Sequence, residues 1–278
     1  RTMASLVGKL CTSTLPTGGA ASASYANVGG DQALDLLWPT PLLKSYDSIA
    51  AAQNKKLRKL LLALSRSAAS EHKTNIGGWQ SSTDLFERTD PALVLLRTRT
   101  YHAVFRYLQA LAPAGEVGHF EVSIGSAWAN VNARGDSNTP HLHPGAQLAG
   151  VYYVDDGGDR LGGVRLVDPR PQASMIPVPA RWTRGMGEHI RAQAKPGLFV
   201  LFPAWLQHYV VGHGGNRSRI SVSFNARVTF PDEDAPFVNS ATRTTVEGAS
   251  SQSSTFTVPP HHQAAFLDGA MAGDMRVN

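Results

Sequence analysis

The sequence has one cysteine, Cys11, and no long apolar run. A single cysteine cannot form an intramolecular disulfide or a cysteine-rich zinc site, so stability must come from a hydrophobic core. The longest core-like run, residues 198–206, contains Pro203 and is far shorter than the roughly 20 apolar residues of a membrane-spanning helix. We therefore predict no membrane span, and the cysteine usage is compatible with a reducing, intracellular compartment.

Charged residues are also scarce. They make up 17% of the chain, with a net charge of +5, and no run of five like charges forms a nucleic-acid-binding arm. A nucleic-acid partner is thus not predicted, although net charge alone leaves it open. Positive charge is concentrated in residues 160–195, which predicts an acidic small ligand or, equally, a solvated basic loop. The basic residues there are Arg160, Arg165, Arg170, Arg181, Arg184, Arg191 and Lys195.

Composition divides the chain into three parts. Residues 1–36 are rich in Ser, Thr, Ala and Gly, with no acidic residue before Asp31, which predicts a flexible leader or an organellar targeting segment. Residues 37–230 carry the periodic apolar patterns and are predicted to form the main domain. Residues 231–278 have few core residues and are predicted to form a C-terminal extension.

Apolar periodicity changes along the main domain. A period of 3.6 predicts an amphipathic helix within residues 45–72, and Asp90-Pro91 predicts the start of a second helix that Pro113 ends. Glycines predict a loop at residues 75–81. After Pro113 the period becomes two, and glycine pairs separate short strands, which predicts an all-β sandwich or barrel with flanking helices. The strand-like runs are residues 120–124, 148–154, 164–167, 198–202 and 220–230.

Three histidines are candidate metal ligands. His141 and His143 are two residues apart, so on a strand both imidazoles would lie on one face of the sheet. His208 follows a later apolar run that could lie opposite them in a barrel. Imidazole binds iron, zinc, copper and nickel alike, so these residues alone do not identify the metal.

Arg219 and Ser221 are the second candidate pair. They begin the strand-like run that follows His208 and would share one face of it. A guanidinium donates two parallel hydrogen bonds to a carboxylate, and a neighbouring hydroxyl would add a third. The alternative is a surface arginine that precedes a core strand.

The candidate residues belong to a series of short motifs along the chain. The motifs are Gly77-Gly78-Trp79-Gln80-Ser81, Trp128-Ala129-Asn130, Gly135-Asp136-Ser137-Asn138, His141-Leu142-His143-Pro144-Gly145, Gly150-Val151-Tyr152-Tyr153-Val154, Asp168-Pro169-Arg170, Phe202-Pro203-Ala204-Trp205-Leu206-Gln207-His208 and Arg219-Ile220-Ser221-Val222-Ser223-Phe224-Asn225. In this order, they resemble the family of iron(II)- and 2-oxoglutarate-dependent oxygenases, and the resemblance extends over about residues 37–225.

The resemblance implies a fold, a cofactor and a reaction. The fold is an all-β double-stranded β-helix, a cupin-like jelly roll, with the N-terminal helices packed on one side. The reaction uses Fe(II), O₂ and 2-oxoglutarate as cosubstrate, releases succinate and CO₂, and hydroxylates or desaturates a small-molecule or peptidyl substrate. The implied iron ligands are His141, His143 and His208, and the implied cosubstrate residues are Arg219, Ser221 and Asn138.

One position departs from the wider superfamily, which uses two histidines and a carboxylate. His143 stands where that carboxylate is usual, so the site would carry one more positive charge. Asp136 could supply the carboxylate instead, but it is off the strand register of His141, and we favour His143. Three-histidine sites are associated with cupin-type dioxygenases that need no 2-oxoglutarate, which is an alternative function, and a non-catalytic jelly-roll binding module is another.

The remaining aromatic and histidine residues receive structural interpretations. Alternating aromatic residues on sandwich strands are usually core, which is the expectation for Trp128, Tyr152, Tyr153 and Trp205. A long basic lid is expected at residues 171–193. His119, His189 and His213 have no partner at ligand spacing and are expected to be surface residues or to have their hydrogen bonds satisfied.

Overall fold

The computed structural model describes residues 39–47, 50–111, 120–159, 161–175 and 189–229, together with three two-residue strands outside these ranges. Its helices are α1 (Ala50–Ser67) and α2 (Pro91–Leu111). The strands are β1 (Ala26–Asn27), β2 (Ala33–Leu34), β3 (Leu43–Tyr46), β4 (Asn75–Ile76), β5 (Trp79–Gln80), β6 (Glu121–Asn132), β7 (Ser137–His141), β8 (Leu148–Asp155), β9 (Gly163–Leu166), β10 (Ile190–Gln193), β11 (Leu198–Pro203), β12 (His208–Val210), β13 (Arg219–Thr229) and β14 (Thr255–Phe256).

The main strands form two antiparallel sheets. The larger has the order β14-β6-β13-β8-β11-β3, with β5 also paired to β6, and the smaller has the order β10-β9-β12-β7-β4. From β6 to β13 the chain passes back and forth between the sheets: β6, β8, β11 and β13 lie in the larger one and β7, β9, β10 and β12 in the smaller, where β9 and β10 are consecutive. This is a double-stranded β-helix, and it confirms the predicted jelly roll with flanking helices.

Two hydrophobic cores explain why the central strands are apolar on both faces. Alternate side chains of β8 point in opposite directions, so Tyr152 and Val154 pack with α1 and α2 while Val151 and Tyr153 lie in the core between the sheets. A strand covered on both faces reads as a continuous apolar run instead of an alternating one. The helices therefore cover the outer face of the larger sheet and leave the space between the sheets for a site.

The second helix begins at Pro91 and ends at Leu111, close to the predicted limits. The first is shorter than predicted, because residues 43–46 form β3 and pair with β11. That pairing completes the edge of the larger sheet, and a helical conformation there would leave the β11 backbone unpaired. In the described residues, neither helix has the combination of length and apolarity that crossing a membrane requires.

The sequence predicted β8, β9, β11 and β13 closely, found only the start of the longest strand, β6, and missed several short strands. The apolar runs at residues 148–154, 198–202 and 220–230 correspond to β8, β11 and β13 within two residues. The predicted loop at 75–81 contains β4 and β5, and the predicted lid at 171–193 is too long, because residues 190–193 form β10. Strands this short carry too few residues for a period of two to be visible.

Parts of the predicted leader and extension lie outside the described residues, as do His119 and most of the lid. β1 and β2 pair with each other within the predicted leader, and β14 of the predicted extension pairs with β6 at Val122 and Ser123. The domain boundaries at residues 36 and 230 stay predictions.

Candidate metal centre and cosubstrate pocket

Two strands of the smaller sheet bring the histidines together. β7 ends at His141 and β12 begins at His208, and these two residues are direct cross-strand partners. His143 lies beyond the end of β7, where its backbone N–H donates to the Ala204 carbonyl at 3.0 Å. The prediction that His141 and His143 share a strand is therefore wrong, because β7 ends at His141 and a turn begins at Pro144, but the three side chains still converge.

The three imidazoles have the separations that a shared metal ion requires. His143 Nε2 lies 3.1 Å from His208 Nε2, and one ring nitrogen of each of the three histidines lies within 4.8 Å of the others. Two nitrogen ligands at about 2.1 Å from one ion, at right angles, are about 3 Å apart. The donor set thus fits a transition-metal ion held by His141, His143 and His208.

Backbone carbonyls orient two of the rings. His141 Nδ1–H donates to the Thr139 carbonyl at 2.7 Å, and His208 Nδ1–H donates to the Leu206 carbonyl at 2.8 Å. When Nδ1 carries the proton of a neutral imidazole, Nε2 keeps its lone pair. Both rings are therefore held in the tautomer that presents Nε2 to a metal, which is the usual role of the groups behind histidine ligands.

Burial keeps the three imidazoles neutral. It lowers the pKa of His141, lowers that of His143 to about 4, and lowers that of His208 to about 3. The neighbouring imidazoles lower the pKa of His143 and His208 further, because two adjacent cations repel each other. Near neutral pH all three are in the unprotonated form that binds metals.

No carboxylate joins this group among the residues that the structure describes. Asp136 lies in the turn between β6 and β7, where its Oδ2 accepts the backbone N–H of Ala133 at 2.6 Å. Its carboxylate is thus engaged in the turn and is not one of the converging ligand atoms. The placement favours His143 over Asp136 as the third ligand.

A cavity of about 270 Å³ between the sheets connects the histidines to Arg219 and Ser221. Arg219 is the first residue of β13 and is 2% exposed, and its Nη1 has no hydrogen-bond partner in the described part of the chain. Burial lowers the pKa of Arg219, while the nearby Tyr153, Asp159 and Asp136 raise it. A buried guanidinium with an unused N–H is a binding site for an anion.

Ser221 and Asn138 line the same cavity. Ser221 is two residues beyond Arg219 on β13, so the two side chains share a face as predicted. Asn138 lies on β7 opposite Val210, and its side-chain amide donates to Thr74 Oγ1 at 3.3 Å. The structure therefore brings all six predicted site residues to one cavity, and their individual roles stay predictions.

Several polar residues that line the cavity were not predicted as site residues, although some of them lie in the segments that matched the family. They are Gln80, Thr83, Ser126, Asn130, Asn132, Ser223 and Asn225. Ser223 and Asn225 continue the alternation that begins at Arg219 and Ser221, so the period of two along this strand was the signal that could have identified them.

The four aromatic residues that were expected to be core differ in burial. Tyr152 is core as expected, and Tyr153 is buried but also borders the cavity. Trp128 is half-buried and lines the cavity, with its ring centroid 5.7 Å from that of His143. Trp205 is 57% exposed, so its assignment to the core is wrong. It lies in the turn between β11 and β12, where the alternation of a strand no longer determines which face is buried.

The described basic residues of the 160–195 interval do not line the cavity. Arg165 and Arg191 are cross-strand partners on β9 and β10, while their neighbours Val164 and Ala192 point into the core. The two arginines therefore lie on the outer face of the smaller sheet. An acidic ligand held by them would be outside the site described above.

His213 is the buried exception among the histidines that were not predicted to bind a metal. It is 1% exposed, its Nε2–H donates to the Arg217 carbonyl at 2.6 Å, and its Nδ1 lies 3.3 Å from Asp159 Oδ2. These contacts connect the turns that precede Arg219. The hydrogen bond satisfies Nε2, but Nδ1 is buried and makes no hydrogen bond with a described residue, so the expectation for His213 is met only in part.

Fold and site together define a jelly-roll protein with a three-histidine group that can hold a metal ion. Residues 126–225, from the middle of β6 to Asn225 on β13, match the family described as "Putative 2OG-Fe(II) oxygenase". The resemblance inferred from the sequence motifs is thereby confirmed over this stretch, which includes all six predicted site residues. No curated protein matches the chain.

Solved structures with a similar fold include several oxygenases. A prolyl-4-hydroxylase from Pseudomonas putida is 14% identical, over 68% of this chain and 93% of that one, with a TM-score of 0.48. A prolyl hydroxylase from Trichoplax adhaerens, in complex with a peptide fragment of hypoxia inducible factor, is 12% identical over 66% and 83%, with a TM-score of 0.47. The non-heme alpha ketoglutarate dependent epimerase SnoN from nogalamycin biosynthesis is 13% identical over 76% and 85%, with a TM-score of 0.49. At these identities, none of the neighbours indicates a substrate for this chain.

Proposed function

We propose that this protein is a non-haem Fe(II)- and 2-oxoglutarate-dependent dioxygenase. The observation that carries the proposal is one cavity that contains both three neutral, converging imidazoles and a buried guanidinium with an unpartnered N–H. The first is a ligand set for iron and the second is a receptor for a carboxylate. The family match over residues 126–225 supports the same pairing of cofactor and cosubstrate.

Iron bound by His141, His143 and His208 would supply oxidation with O₂, coupled to decarboxylation of 2-oxoglutarate to succinate and CO₂. Arg219 would hold the distal carboxylate of 2-oxoglutarate through charge-assisted hydrogen bonds, with Ser221 as a further donor. The surrounding β-sheets exclude bulk water from Arg219, which strengthens these bonds. The substrate oxidised would be hydroxylated or desaturated.

The charge of the site is consistent with an anionic cosubstrate. Three neutral imidazoles leave the iron with one more positive charge than two histidines and a carboxylate would. The described residues that line the cavity include no aspartate or glutamate. A dicarboxylate would therefore compensate both the metal charge and the buried charge of Arg219, which desolvation otherwise disfavours.

A second candidate function is a three-histidine dioxygenase that binds its substrate directly on iron and needs no 2-oxoglutarate. The donor set of three histidines favours it. In that case Arg219 would be structural, and added 2-oxoglutarate would not change turnover.

Succinate release in the presence of Fe(II), O₂ and 2-oxoglutarate tests the proposal. We expect release by the wild type and a reduction of about 100-fold in kcat/KM for 2-oxoglutarate in Arg219→Ala, because two charge-assisted hydrogen bonds are lost. Arg217→Ala is the matched control, since Arg217 lies two residues away, is exposed, pairs with Asp155 and does not line the cavity. No succinate release by the wild type would favour the second candidate, and equal release by wild type and Arg219→Ala would show that the guanidinium does not hold the cosubstrate.

A further inference from the structure

The floor of the cavity is a regular ladder of side chains on two neighbouring strands. β6 and β13 pair antiparallel, and every second residue of each strand faces the cavity. The four rungs, in order, are Asn132–Arg219, Asn130–Ser221, Trp128–Ser223 and Ser126–Asn225. Adjacent rungs are about 7 Å apart, since each strand advances about 3.3 Å per residue.

The metal group lies partway along this ladder. The His143 ring contacts Trp128, with centroids 5.7 Å apart, so the histidines lie near the third rung. Arg219 is on the first rung, about 13 Å along β13 from Ser223. The five-carbon chain of 2-oxoglutarate between Arg219 and the metal would cover the first two rungs. The third and fourth rungs remain for the substrate that is oxidised.

The hydrogen bonds of these two rungs leave hydroxyl donors available. Asn225 Nδ2 donates to Ser126 Oγ at 3.1 Å, and Asn130 Nδ2 donates to Ser223 Oγ at 3.4 Å. Each serine thus accepts a bond from a neighbouring amide, and neither hydroxyl donates a hydrogen bond to another described residue. A hydroxyl that already accepts and is fixed in place can donate to a ligand oxygen.

The part of the cavity floor that β8 contributes is apolar. β8 lies on the other side of β13, and its Ala149 and Val151 line the cavity beside Asn225 and Ser223. Trp128 adds a half-buried aromatic ring. The floor of the cavity next to the metal group is therefore amphipathic. It is polar along β6 and β13 and apolar along β8.

Formal charge is absent from the third and fourth rungs. The cavity-lining residues that the structure describes include two permanent cations, Arg219 on the first rung and Lys73. Lys73 is exposed and precedes β4, the edge strand of the smaller sheet, whereas the third and fourth rungs belong to the larger sheet. An ionic group placed over Ser126 and Asn225 would have no oppositely charged side chain on either rung to pair with, and burying it there would be costly.

The geometry points to an uncharged, hydroxyl-rich small molecule as the oxidised substrate, bound over the Trp128–Ser223 and Ser126–Asn225 rungs. This inference rests on the proposed function, which assigns the first two rungs to 2-oxoglutarate. The ring or chain oxygens of this substrate accept hydrogen bonds from Ser126 and Ser223, and its hydroxyls bond to Asn225. Its C–H face packs on Trp128 and Val151. Such a pocket, mostly apolar with a few fixed polar groups, is typical of small-molecule sites.

Three sugars that share a carbon skeleton and differ in charge test the inference: glucose, glucuronate and glucosamine. Their dissociation constants are measured by ligand-observed NMR on protein loaded with Zn(II), a redox-inert metal that imidazoles bind, and saturated with 2-oxoglutarate. We expect glucose to bind about tenfold more tightly than either charged sugar, because its burial leaves no unpaired charge. Equal binding of all three, tighter binding of a charged sugar, or no binding of any would overturn the inference.

An isosteric substitution gives the test a second readout. Asn225→Asp places a carboxylate on the fourth rung, and we expect it to reverse the order so that glucosamine binds about tenfold better than glucose. Asn216→Asp is the matched control, since Asn216 is exposed and does not line the cavity, and it should keep the wild-type order. An unchanged order in Asn225→Asp would place the sugar elsewhere and overturn the assignment.

Failure of this inference is distinguishable from failure of the proposed function. 2-Oxoglutarate binding is measured first, by calorimetry on the same Zn(II)-loaded samples, before any sugar is added. If 2-oxoglutarate binds the wild type and not Arg219→Ala, the proposed function stands whatever the sugars do. If 2-oxoglutarate does not bind the wild type, both fall.

Discussion

At the scale of single residues, hydrogen bonds and burial determine the chemistry of the histidines. The carbonyls of Thr139 and Leu206 accept the Nδ1–H groups of His141 and His208, and the cavity desolvates all three rings. Neither effect depends on a metal being bound. The ligand set is therefore pre-organised, and metal binding needs no proton release from these imidazoles near neutral pH.

The lowered pKa values predict the pH dependence of metal binding. A group whose pKa lies below its usual value of 6.5 stays unprotonated as the pH falls, until the pH approaches the lowered value. With pKa values of about 4 for His143 and about 3 for His208, protons should hardly compete with a metal at pH 5.5. We expect Zn(II) affinity to fall less than about tenfold between about pH 7.5 and 5.5, against about a thousandfold for three unperturbed imidazoles. Equilibrium dialysis measures it, and a thousandfold loss would contradict the assignment.

His143→Asp tests the residue that departs from the superfamily pattern. If His143 is a ligand, a carboxylate there should still hold Fe(II), since the two-histidine, one-carboxylate set is an established iron site. We expect one Fe(II) per chain to be retained in His143→Asp and lost in His143→Ala, measured by metal analysis after dialysis. Loss in both variants would indicate that the residue does not occupy a ligand position.

The sequence could predict which residues form the site but not how each is held. Spacing and motif order indicated His141, His143, His208 and Arg219. That His143 lies beyond the end of β7, held by Ala204, depends on a contact between residues 61 positions apart, which no local pattern encodes. The exposure of Trp205 has the same origin, because turns do not follow the period of a strand.

At the scale of elements, the position of Arg219 depends on how β13 packs between β6 and β8. Gly150 on β8 lies against the ring of Phe224 on β13, and a Cβ at Gly150 would be 2.3 Å from the Cζ of that ring. The ring is buried among the side chains that face the helices, so it has no free space to move into. Close contact between these two strands therefore requires glycine at position 150.

Gly150→Ala is expected to destabilise the fold by about 2 kcal/mol through overpacking. Gly125→Ala is its matched control, because Gly125 also lies in a strand, β6, and a Cβ there would have no atom within 4 Å. We expect that control to change the free energy of unfolding by less than about 0.5 kcal/mol. Chemical denaturation measures both, and equal effects would mean that the contact with Phe224 is not what restricts position 150.

Some long elements were predictable because their apolar residues repeat often enough to show a period, although only the start of β6 was predicted. α2 and β13 each have a clear pattern over more than ten residues. β4, β5 and β10 have two to four residues each and are defined by their pairing with strands far away in the chain. Their existence follows from the tertiary structure and not from local sequence.

At the scale of the whole molecule, the fold has two separate hydrophobic cores, and one of them borders the cavity. The larger lies between the helices and the larger sheet, and the second lies between the two sheets beside the cavity. The helices thus pack on the outer face of the sheet that carries Arg219, and the cavity for ligands lies on its inner face. The fold class was predictable from the order of helices and strands, but the cavity appears only when the two sheets are closed on each other.

Ligand binding should therefore stabilise the entire domain. A metal and 2-oxoglutarate, each at a hundredfold excess over its dissociation constant, should each add about 2.7 kcal/mol and raise Tm by about 5 to 10 °C. In Arg219→Ala the increase from Zn(II) should remain and the increase from 2-oxoglutarate should be lost, as measured by calorimetric melting. A variant that keeps both increases would show that 2-oxoglutarate binds without the guanidinium.

The central claim is that three imidazoles hold one iron ion. Anaerobic titration of Fe(II) into the wild type and the single variants His141→Ala, His143→Ala and His208→Ala tests it most directly, with His189→Ala, an exposed histidine outside the cavity, as control. We predict one Fe(II) per chain for the wild type and the control, and affinity reduced by at least about 100-fold in each of the other three. Undiminished affinity in any of those three would contradict the claim.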